Sequence, residues 1–173
     1  KEREKFYSKL NIEFGKKIIL MPGRLTEWKG QELLIESLNI LKTNFGYKNF
    51  VAIILGSDQG RDTYKKKLLR LVEQYRLNKD VIFLEHANSM PIAYSIANVV
   101  VSASVEPEAF GRVAVESQSM CKPIIASNIG GSKETVLNKK SGFLYKHDDP
   151  RELAKYINTV IQLSQEELKL MGN

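Results

Sequence analysis

A basic pair follows the first strand-like run of the sequence. The segment Met21-Pro-Gly-Arg-Leu-Thr-Glu-Trp-Lys-Gly30 places Arg24 and Lys29 at the entry to a helical pattern, and Gly23 allows a tight turn after the strand. Arginine offers a planar fork of donors and lysine a point charge, so this pair suits a diphosphate group. The alternative is a pair of solvated surface cations, and their spacing alone does not decide between the two.

Two glutamates flank a second turn from strand to helix. Glu108 and Glu116 are separated by seven residues, with Phe110-Gly111 between them. A glycine at a helix start lets free N–H groups approach an anion, which the helix dipole favours by about 0.3–1 kcal/mol. Helical side chains lean toward the N-terminus, so Glu116 is expected to lean into the same pocket, where a ribose diol is a suitable partner. The alternative is a dipole partner for Glu108 and a surface charge for Glu116.

A third loop joins strand to helix through paired glycines, Gly130 and Gly131, which either contact a ligand or only make the turn. The dinucleotide-binding pattern G-x-G-x-x-G and the phosphate-binding pattern G-x-x-x-x-G-K-[ST] are both missing from the sequence. These absences count against a dehydrogenase and against an ATPase.

The elements that must position these loops are short apolar runs alternating with amphipathic segments. The runs are continuous in apolar character, which is typical of strands buried on both faces. Strands are predicted at Lys17–Met21, Phe50–Leu55, Val81–Leu84, Asn98–Ser102, Pro123–Ala126 and Phe143–Tyr145, and helices at Lys29–Thr43, Asp62–Arg76, Pro91–Ala97, Gly111–Met120 and Pro150–Leu163. This alternation predicts an α/β fold, a Rossmann-like parallel sheet of about six strands with helices on both faces. Ligands bind at the carboxyl ends of such strands, where all three loops lie.

The composition of the chain favours an anionic partner but does not identify which one. The 173 residues fit one globular domain, and 26 Lys and Arg against 20 Asp and Glu give a net charge of +6, which favours an anionic partner. A single cysteine excludes an internal disulfide. Two isolated histidines predict no metal site.

In their order along the chain, these motifs resemble the C-terminal domain of the GT-B glycosyltransferases, specifically the retaining family 4, or glycosyl transferases group 1. The resemblance covers about Lys17 to Leu163. It rests on Gly-Arg followed by Lys-Gly, the two glutamates around Phe-Gly, Lys122-Pro-Ile-Ile-Ala-Ser, Gly130-Gly131 and Ser141-Gly-Phe-Leu. Each motif is weak alone, and the ordered set is specific.

The resemblance implies a role for each matching residue. Arg24 and Lys29, beside Gly23, match the basic pair that grips the donor diphosphate. Glu108 matches the glutamate that contacts the transferred sugar, and Glu116 matches the one that holds the nucleotide ribose. In the family, main-chain N–H groups contact the sugar and the distal phosphate. The matching positions in this sequence are Phe110, Gly111, Arg112 and Val113. Catalysis is expected to rest on Glu108, Arg24 and Lys29, with no metal or other cofactor.

Three positions depart from the family pattern. The base is expected near the end of the third strand, around Phe83 and Glu85, and Glu85 stands where relatives often have glycine. Cys121 replaces a frequent glycine at a helix C-cap, which predicts an unusual backbone or a shifted helix end. Lys133 replaces a frequent proline.

The function implied is transfer of a sugar from a nucleotide-diphosphate sugar with retained configuration, in lipopolysaccharide or other envelope polysaccharide synthesis. Residues 1–16 are interpreted as the end of an interdomain connection and 17–173 as the donor-binding domain. The N-terminal domain, which would bind a glycan or lipid-linked acceptor, is not in this chain, so the chain alone is expected to be inactive. A cytoplasmic location is expected, with peripheral contact to the inner face of the membrane as one option.

The alternative function is a Rossmann-like polyanion or nucleic-acid binding module without catalysis. Such a module spreads its cations along a surface with interleaved aromatics, whereas Arg24 and Lys29 sit at a strand end, so no nucleic acid is expected. Lys65–Lys67 and Arg70 form a basic helix face. This face is either simply solvated or in contact with an anionic membrane surface.

Overall fold

The computed structural model describes residues 2–60, 62–87, 89–164 and 166–168 of the chain. Its strands form one parallel sheet in the order β3-β2-β1-β4-β5-β6. The strands are β1 Lys17–Pro22, β2 Phe50–Leu55, β3 Val81–Leu84, β4 Val99–Ser102, β5 Ile124–Ser127 and β6 Gly142–Tyr145. The predicted fold class and all six predicted strands are confirmed, each with bounds within one residue of the prediction.

Seven α-helices with complete bounds and one 3₁₀ turn lie in the described residues, and residues 166–168 are also helical. The turn covers Glu27–Lys29, and the helices are α1 Glu2–Lys9, α2 Gln31–Thr43, α3 Asp62–Gln74, α4 Met90–Ile96, α5 Arg112–Ser119, α6 Ser132–Thr135 and α7 Pro150–Gln162. The five helices predicted with bounds are all present, α6 is the helix expected after the paired glycines, and α1 was not predicted. The helix predicted from Lys29 begins at Gln31, because Gly30 adopts a left-handed backbone that separates it from the 3₁₀ turn.

The sheet separates two apolar cores. Alternate side chains of β1 point to opposite sides: Ile19 and Met21 pack with α2, α3 and α7, while Ile18 and Leu20 pack with α4 and α5. Both faces of the strand are therefore buried, which explains why its sequence is continuously apolar rather than alternating. None of the described helices is long and apolar enough to cross a membrane.

The segment interpreted as the end of an interdomain connection contains α1. Helix α1 packs on α4, and Phe6, Tyr7, Leu10 and Ile12 contribute partly buried side chains to the core on that side. The first sixteen residues thus include a helix that shares the core of the domain. The domain boundary at residue 17 remains a prediction.

The strand order reverses between β1 and β4. These two strands pair in parallel through Ile19 with Val99 and Leu20 with Val100, although β2 and β3 lie between them in sequence. The connections after β1 and β4 leave for opposite sides of the sheet and open a crevice at their carboxyl ends. Ligands bind at such switch points in open α/β sheets.

Candidate functional site

A pocket of about 360 Å³ occupies this crevice. It is lined by the end of β1 and the residues that follow it, the 3₁₀ turn, the loop after β4, the start of α4 and the first two turns of α5. The lining residues are Pro22, Gly23, Arg24, Trp28, Lys29, Met90, Glu108, Arg112, Val113 and Glu116. The structure thus brings the predicted basic pair and both predicted glutamates into one cavity. Three cationic and two acidic side chains face the same space.

Close backbone packing fixes the 3₁₀ turn against the loop after β4. Gly30 has a φ of +77°, and a Cβ atom there would lie 1.9 Å from the carbonyl oxygen of Ala103. The carbonyl of Trp28 accepts a hydrogen bond of 2.9 Å from the N–H of Val105. Only a glycine permits this approach, which places the neighbouring Lys29 over the second loop.

Lys29 and Glu108 form an ion pair in the pocket. Lys29 Nζ lies 2.8 Å from Glu108 Oε1, and the two side chains are only 13% and 15% exposed. The hydroxyl of Ser104 donates to the same carboxylate oxygen, and the ring centroid of Trp28 lies 4.5 Å from Lys29 Nζ. The ammonium is therefore held between a carboxylate and an aromatic face.

The backbone of Arg24 is fixed while its side chain is exposed. Its carbonyl accepts a 2.8 Å hydrogen bond from Nε2 of Gln31, a fully buried side chain. The phenol of Tyr64 in turn donates to Gln31 Oε1 at 3.2 Å. This chain of contacts anchors the turn, and the guanidinium remains available to a ligand.

Helix α5 begins at the pocket with an open N-terminus. Gly111 is its N-cap in a left-handed conformation, no side chain caps the helix, and Arg112 and Val113 line the cavity. The first N–H groups of a helix have no acceptor within it. An anionic ligand would satisfy them and the positive end of the helix dipole together.

The paired glycines of the third loop support this turn from behind. The N–H of Gly131 donates to the carbonyl of Glu108 at 2.7 Å, and a Cβ at Gly131 would lie 2.6 Å from the carbonyl carbon of Phe110. The two glycines therefore let α6 pack directly on the backbone of the glutamate loop. Of the two interpretations offered by the sequence, the geometry favours packing over ligand contact.

Glu116 is fixed by a tyrosine from the neighbouring helix. The phenol of Tyr94 on α4 donates to Glu116 Oε2 at 2.7 Å, and Tyr94 is 2% exposed. Burial, and then the hydrogen bond to Glu116, raise the pKa of Tyr94 above its ordinary value. The phenol is therefore neutral at physiological pH and acts as a donor.

Four predicted site residues are not among the described residues that line the pocket. The side chain of Phe83 packs on the core beside α2 and α3, and that of Phe110 is 59% exposed. Glu85 bonds to Lys65 Nζ at 3.1 Å. Gly111 contributes its backbone conformation as the N-cap of α5.

Glu85 takes part in a three-residue ion-pair network. Lys65 Nζ also lies 3.0 Å from Asp58 Oδ2. The pKa of Asp58 is lowered, first by a hydrogen bond from the N–H of Gly60 and then by Lys65, and the pKa of Lys65 is raised by hydrogen bonds to Asp58 and Glu85. The charge of Glu85 is thus directed to α3.

No group of three or more potential ligands from His, Cys, Asp and Glu is placed to hold a metal ion within the described ranges. The predicted independence from metal remains a matter for experiment.

Several contributors to the site were not identified as site residues from the sequence. Ser104 and Tyr94 each donate a hydroxyl to one of the two glutamates, and Met90 lines the cavity. One available signal was a tyrosine within the short apolar helix that precedes β4, because a buried phenol usually has a hydrogen-bond partner. Pro22 and Trp28 also line the pocket.

Comparison with known proteins finds a family match over nearly the whole chain. Residues 2–173 match the family model described as "Glycosyl transferases group 1". The chain is 29% identical over 161 residues to the capsular polysaccharide biosynthesis glycosyltransferase CapM of Staphylococcus aureus, an alignment that covers 93% of this chain and 40% of CapM.

Two solved structures are similar over 99% of the chain. A glycosyltransferase from Rickettsia africae superposes with a TM-score of 0.92 at 32% identity, over 44% of its own chain. Alr3699/HepE of Anabaena, in a complex with UDP-glucose, superposes with a TM-score of 0.90 at 29% identity, over 45% of its own chain. The present chain therefore spans less than half the length of these relatives.

Proposed function

The chain belongs to the glycosyl transferases group 1 family, and from that membership we propose that it binds the nucleotide-diphosphate sugar donor of a retaining hexosyltransferase. It corresponds to the C-terminal domain of the GT-B glycosyltransferases. The observation that carries the proposal is the pocket where a basic pair, an open helix N-terminus and two carboxylates meet. The cations and the helix N-terminus are chemically complementary to the diphosphate of a donor molecule, and the two carboxylates are complementary to the hydroxyls of its sugar and its ribose.

Each group has a separate part of the donor to bind. Arg24 and Lys29 pair with the diphosphate, together with the N–H groups at the start of α5. Glu108 accepts hydrogen bonds from hydroxyls of the transferred sugar, and Glu116 accepts them from the ribose diol. UDP-glucose in the 29% identical HepE supports a nucleotide sugar as the ligand class.

The chemistry assigned to these residues is electrostatic. As the bond between the anomeric carbon and the diphosphate oxygen breaks, negative charge develops on the leaving diphosphate. Arg24, Lys29 and the helix N–H groups would stabilise that charge, and electrostatic stabilisation of this kind is usually the largest single contribution to catalysis. Glu108 orients the sugar so that an acceptor hydroxyl attacks the anomeric carbon on the face that the diphosphate leaves, and the departing diphosphate takes up the hydroxyl proton.

The acceptor and the pathway are proposed from the relatives. In a two-domain enzyme a glycan or lipid-linked acceptor would bind through an N-terminal domain, across the cleft from this pocket. The name of CapM supports a place in capsular or other envelope polysaccharide synthesis. Half a cleft lacks the orientation of two reactants, a contribution of about 7–11 kcal/mol, so we expect no sugar transfer by these 173 residues alone.

The alternative function, a polyanion or nucleic-acid binding module, and the separate option of membrane contact both depend on the basic face of α3. Of its four cations, Lys65 pairs with Asp58 and Glu85, and Lys67 pairs with Glu32 at 2.8 Å. These acidic partners reduce the positive field that the face presents to a membrane or a nucleic acid. The pocket is therefore the better supported anion site.

Titration calorimetry of the chain tests the proposal. UDP, GDP, ADP and CDP, and then sugar derivatives of the tightest binder, are titrated with and without a chelator of divalent metals. We expect binding of at least one nucleoside diphosphate, with an affinity that the chelator leaves unchanged. A strict requirement for Mg²⁺ would contradict the metal-free assignment, and failure of all four to bind would contradict the donor assignment.

A further inference from the structure

The hydrogen bond between Tyr94 and Glu116 connects a residue outside the pocket to one that lines it. Tyr94 belongs to α4, where it is 2% exposed and packs in the core on the α4 and α5 side of the sheet. Glu116 lies in the second turn of α5 and lines the cavity. The 2.7 Å bond joins the phenol oxygen to Oε2 of the carboxylate.

This bond limits what the carboxylate can do. A glutamate on a helix surface samples several side-chain rotamers, and ordering it on ligand binding has an entropic cost. Because the phenol of Tyr94 is anchored in the core, its hydrogen bond holds one carboxylate oxygen of Glu116 in place before any ligand binds. Within the described residues Oε1 accepts no hydrogen bond, so this oxygen is left to a ligand.

The charge state of the pair suits this role. The raised pKa of Tyr94 keeps its phenol protonated, and the bond to Glu116 contributes to that rise. The positive charge of Arg112, at the start of α5, acts on the same phenol in the opposite direction. A neutral donor facing a carboxylate gives a charge-assisted hydrogen bond, which is stronger than one between neutral groups.

We propose that Tyr94 is a positioning residue that orients the Glu116 carboxylate for recognition of the ribose diol of a nucleoside diphosphate. This inference rests on the proposed function. It adds a specificity determinant from α4, an element that contributes only Met90 to the pocket lining. Tyr94 acts through Glu116 and touches no ligand itself.

The test compares two ligands that differ only in the ribose hydroxyls. The nucleoside diphosphate that binds most tightly among UDP, GDP, ADP and CDP is titrated alongside its 2′,3′-dideoxy analogue. Discrimination is measured as the Kd of the dideoxy analogue divided by the Kd of the ligand with both ribose hydroxyls. We expect Tyr94→Phe to lower this ratio by about 2–10-fold. Affinity for the dideoxy analogue should stay within about twofold of wild type.

Tyr64→Phe is the matched control. Tyr64 is also buried and also loses a side-chain hydrogen bond, to Gln31 on the far side of the 3₁₀ turn. If loss of any buried phenol oxygen acted through general loosening, both variants would change discrimination equally. We expect the Tyr64→Phe ratio to equal that of wild type.

A double-mutant cycle separates positioning from a direct role. In a Glu116→Ala background, Tyr94→Phe should have no further effect on the ratio. An unchanged ratio for Tyr94→Phe in the wild-type background, with Glu116→Ala still abolishing discrimination, would overturn the role of Tyr94 and leave the proposed function standing. Wild-type protein that binds both ligands equally would overturn the ribose assignment of Glu116 and the inference together.

Discussion

Lys29 is held in the pocket by contacts on two sides. Its ammonium group lies 2.8 Å from Glu108 Oε1 and 4.5 Å from the ring centroid of Trp28. A lysine ammonium has three donors, so the bond to Glu108 leaves two for a phosphate. The pairing therefore prepares the cation for an anionic ligand and partly compensates its burial.

Replacing Lys29 with alanine should weaken binding of a nucleoside diphosphate by about 1.5–3 kcal/mol, because a charge-assisted hydrogen bond to phosphate is lost. Lys66→Ala removes the same charge from an exposed position on α3, outside the pocket, and should change the affinity little after screening by salt. Calorimetry at fixed ionic strength measures both. Equal losses in the two variants would mean that Lys29 acts only through net charge.

The sequence predicted the charged residues of the site, but it did not predict the residues whose hydrogen bonds hold them in place. Arg24, Lys29, Glu108 and Glu116 follow strand ends, so the topology alone brings them together. The contact of Tyr94 with Glu116 depends on the rotation of α4 against α5, which no periodicity in either helix determines. Donation by Ser104 to Glu108 likewise depends on the path of an irregular loop.

Among the structural elements, the 3₁₀ turn requires the smallest side chain at its end. Gly30→Ala places a Cβ 1.9 Å from the Ala103 carbonyl oxygen, so the turn must separate from the loop after β4. We expect a loss of about 3 kcal/mol or more in the free energy of unfolding, together with weaker diphosphate binding. Urea denaturation and calorimetry measure the two effects.

Gly60→Ala provides the control for backbone strain. Gly60 has the same φ of +77°, and a Cβ added there would have no atom within 4 Å, so only the left-handed conformation is penalised, at about 1–2 kcal/mol. Its diphosphate binding should match wild type. A similar cost for both glycine variants would show that the contact with Ala103 does not constrain the turn.

The C-terminal end of α5 is followed by Cys121, at a position where relatives often have glycine. Cys121 has a φ of +52°. Its N–H donates to the carbonyl of Gln118, and the N–H of Lys122 donates to that of Ser117, each at 2.9 Å. This is a Schellman motif with cysteine at the position that favours glycine. The unusual backbone predicted for Cys121 is confirmed.

Cys121→Gly should therefore raise the free energy of unfolding by about 0.5–1 kcal/mol, since relief of left-handed strain exceeds the entropy that glycine adds to the unfolded chain. Cys121→Ala keeps the strain and should leave stability nearly unchanged. Urea denaturation under reducing conditions measures the three proteins. A glycine variant no more stable than the alanine variant would contradict this account of the helix end.

Elements with a clear apolar pattern were predicted with their bounds, whereas α1 was missed and α6 was expected without bounds. The six strands were identified because burial on both faces leaves continuous apolar runs. Helix α1 was missed because its segment begins with four charged residues, Glu2 to Lys5. The sequence pattern therefore gave no sign that Phe6 and Tyr7 pack against the core. Helix α6 spans four residues, which is too short to show a helical period, so only its position after the paired glycines was predicted.

For the whole molecule, ligand binding and folding should be linked. A nucleoside diphosphate that binds only the folded chain, at 100 times its Kd, adds about 2.7 kcal/mol to the free energy of unfolding. For a chain of this size that corresponds to a rise in Tm of about 5–10 °C. Thermal denaturation with and without ligand measures it, and Lys29→Ala at the same ligand concentration should show a smaller rise. An unchanged Tm for wild type would contradict specific binding.

The pairing of β1 with β4 has a consequence for how the chain folds. β1, β2 and β3 are successive in sequence and pair with one another, and so do β4, β5 and β6. The contact between Ile19 and Val99 closes a loop of about 80 residues, and such distant contacts form slowly because loop closure is costly. Arg24 and Lys29 belong to the first half and Glu108 and Glu116 to the second. The binding site is therefore complete only when the two halves of the sheet have joined, since each half alone carries either Arg24 and Lys29 or the two glutamates.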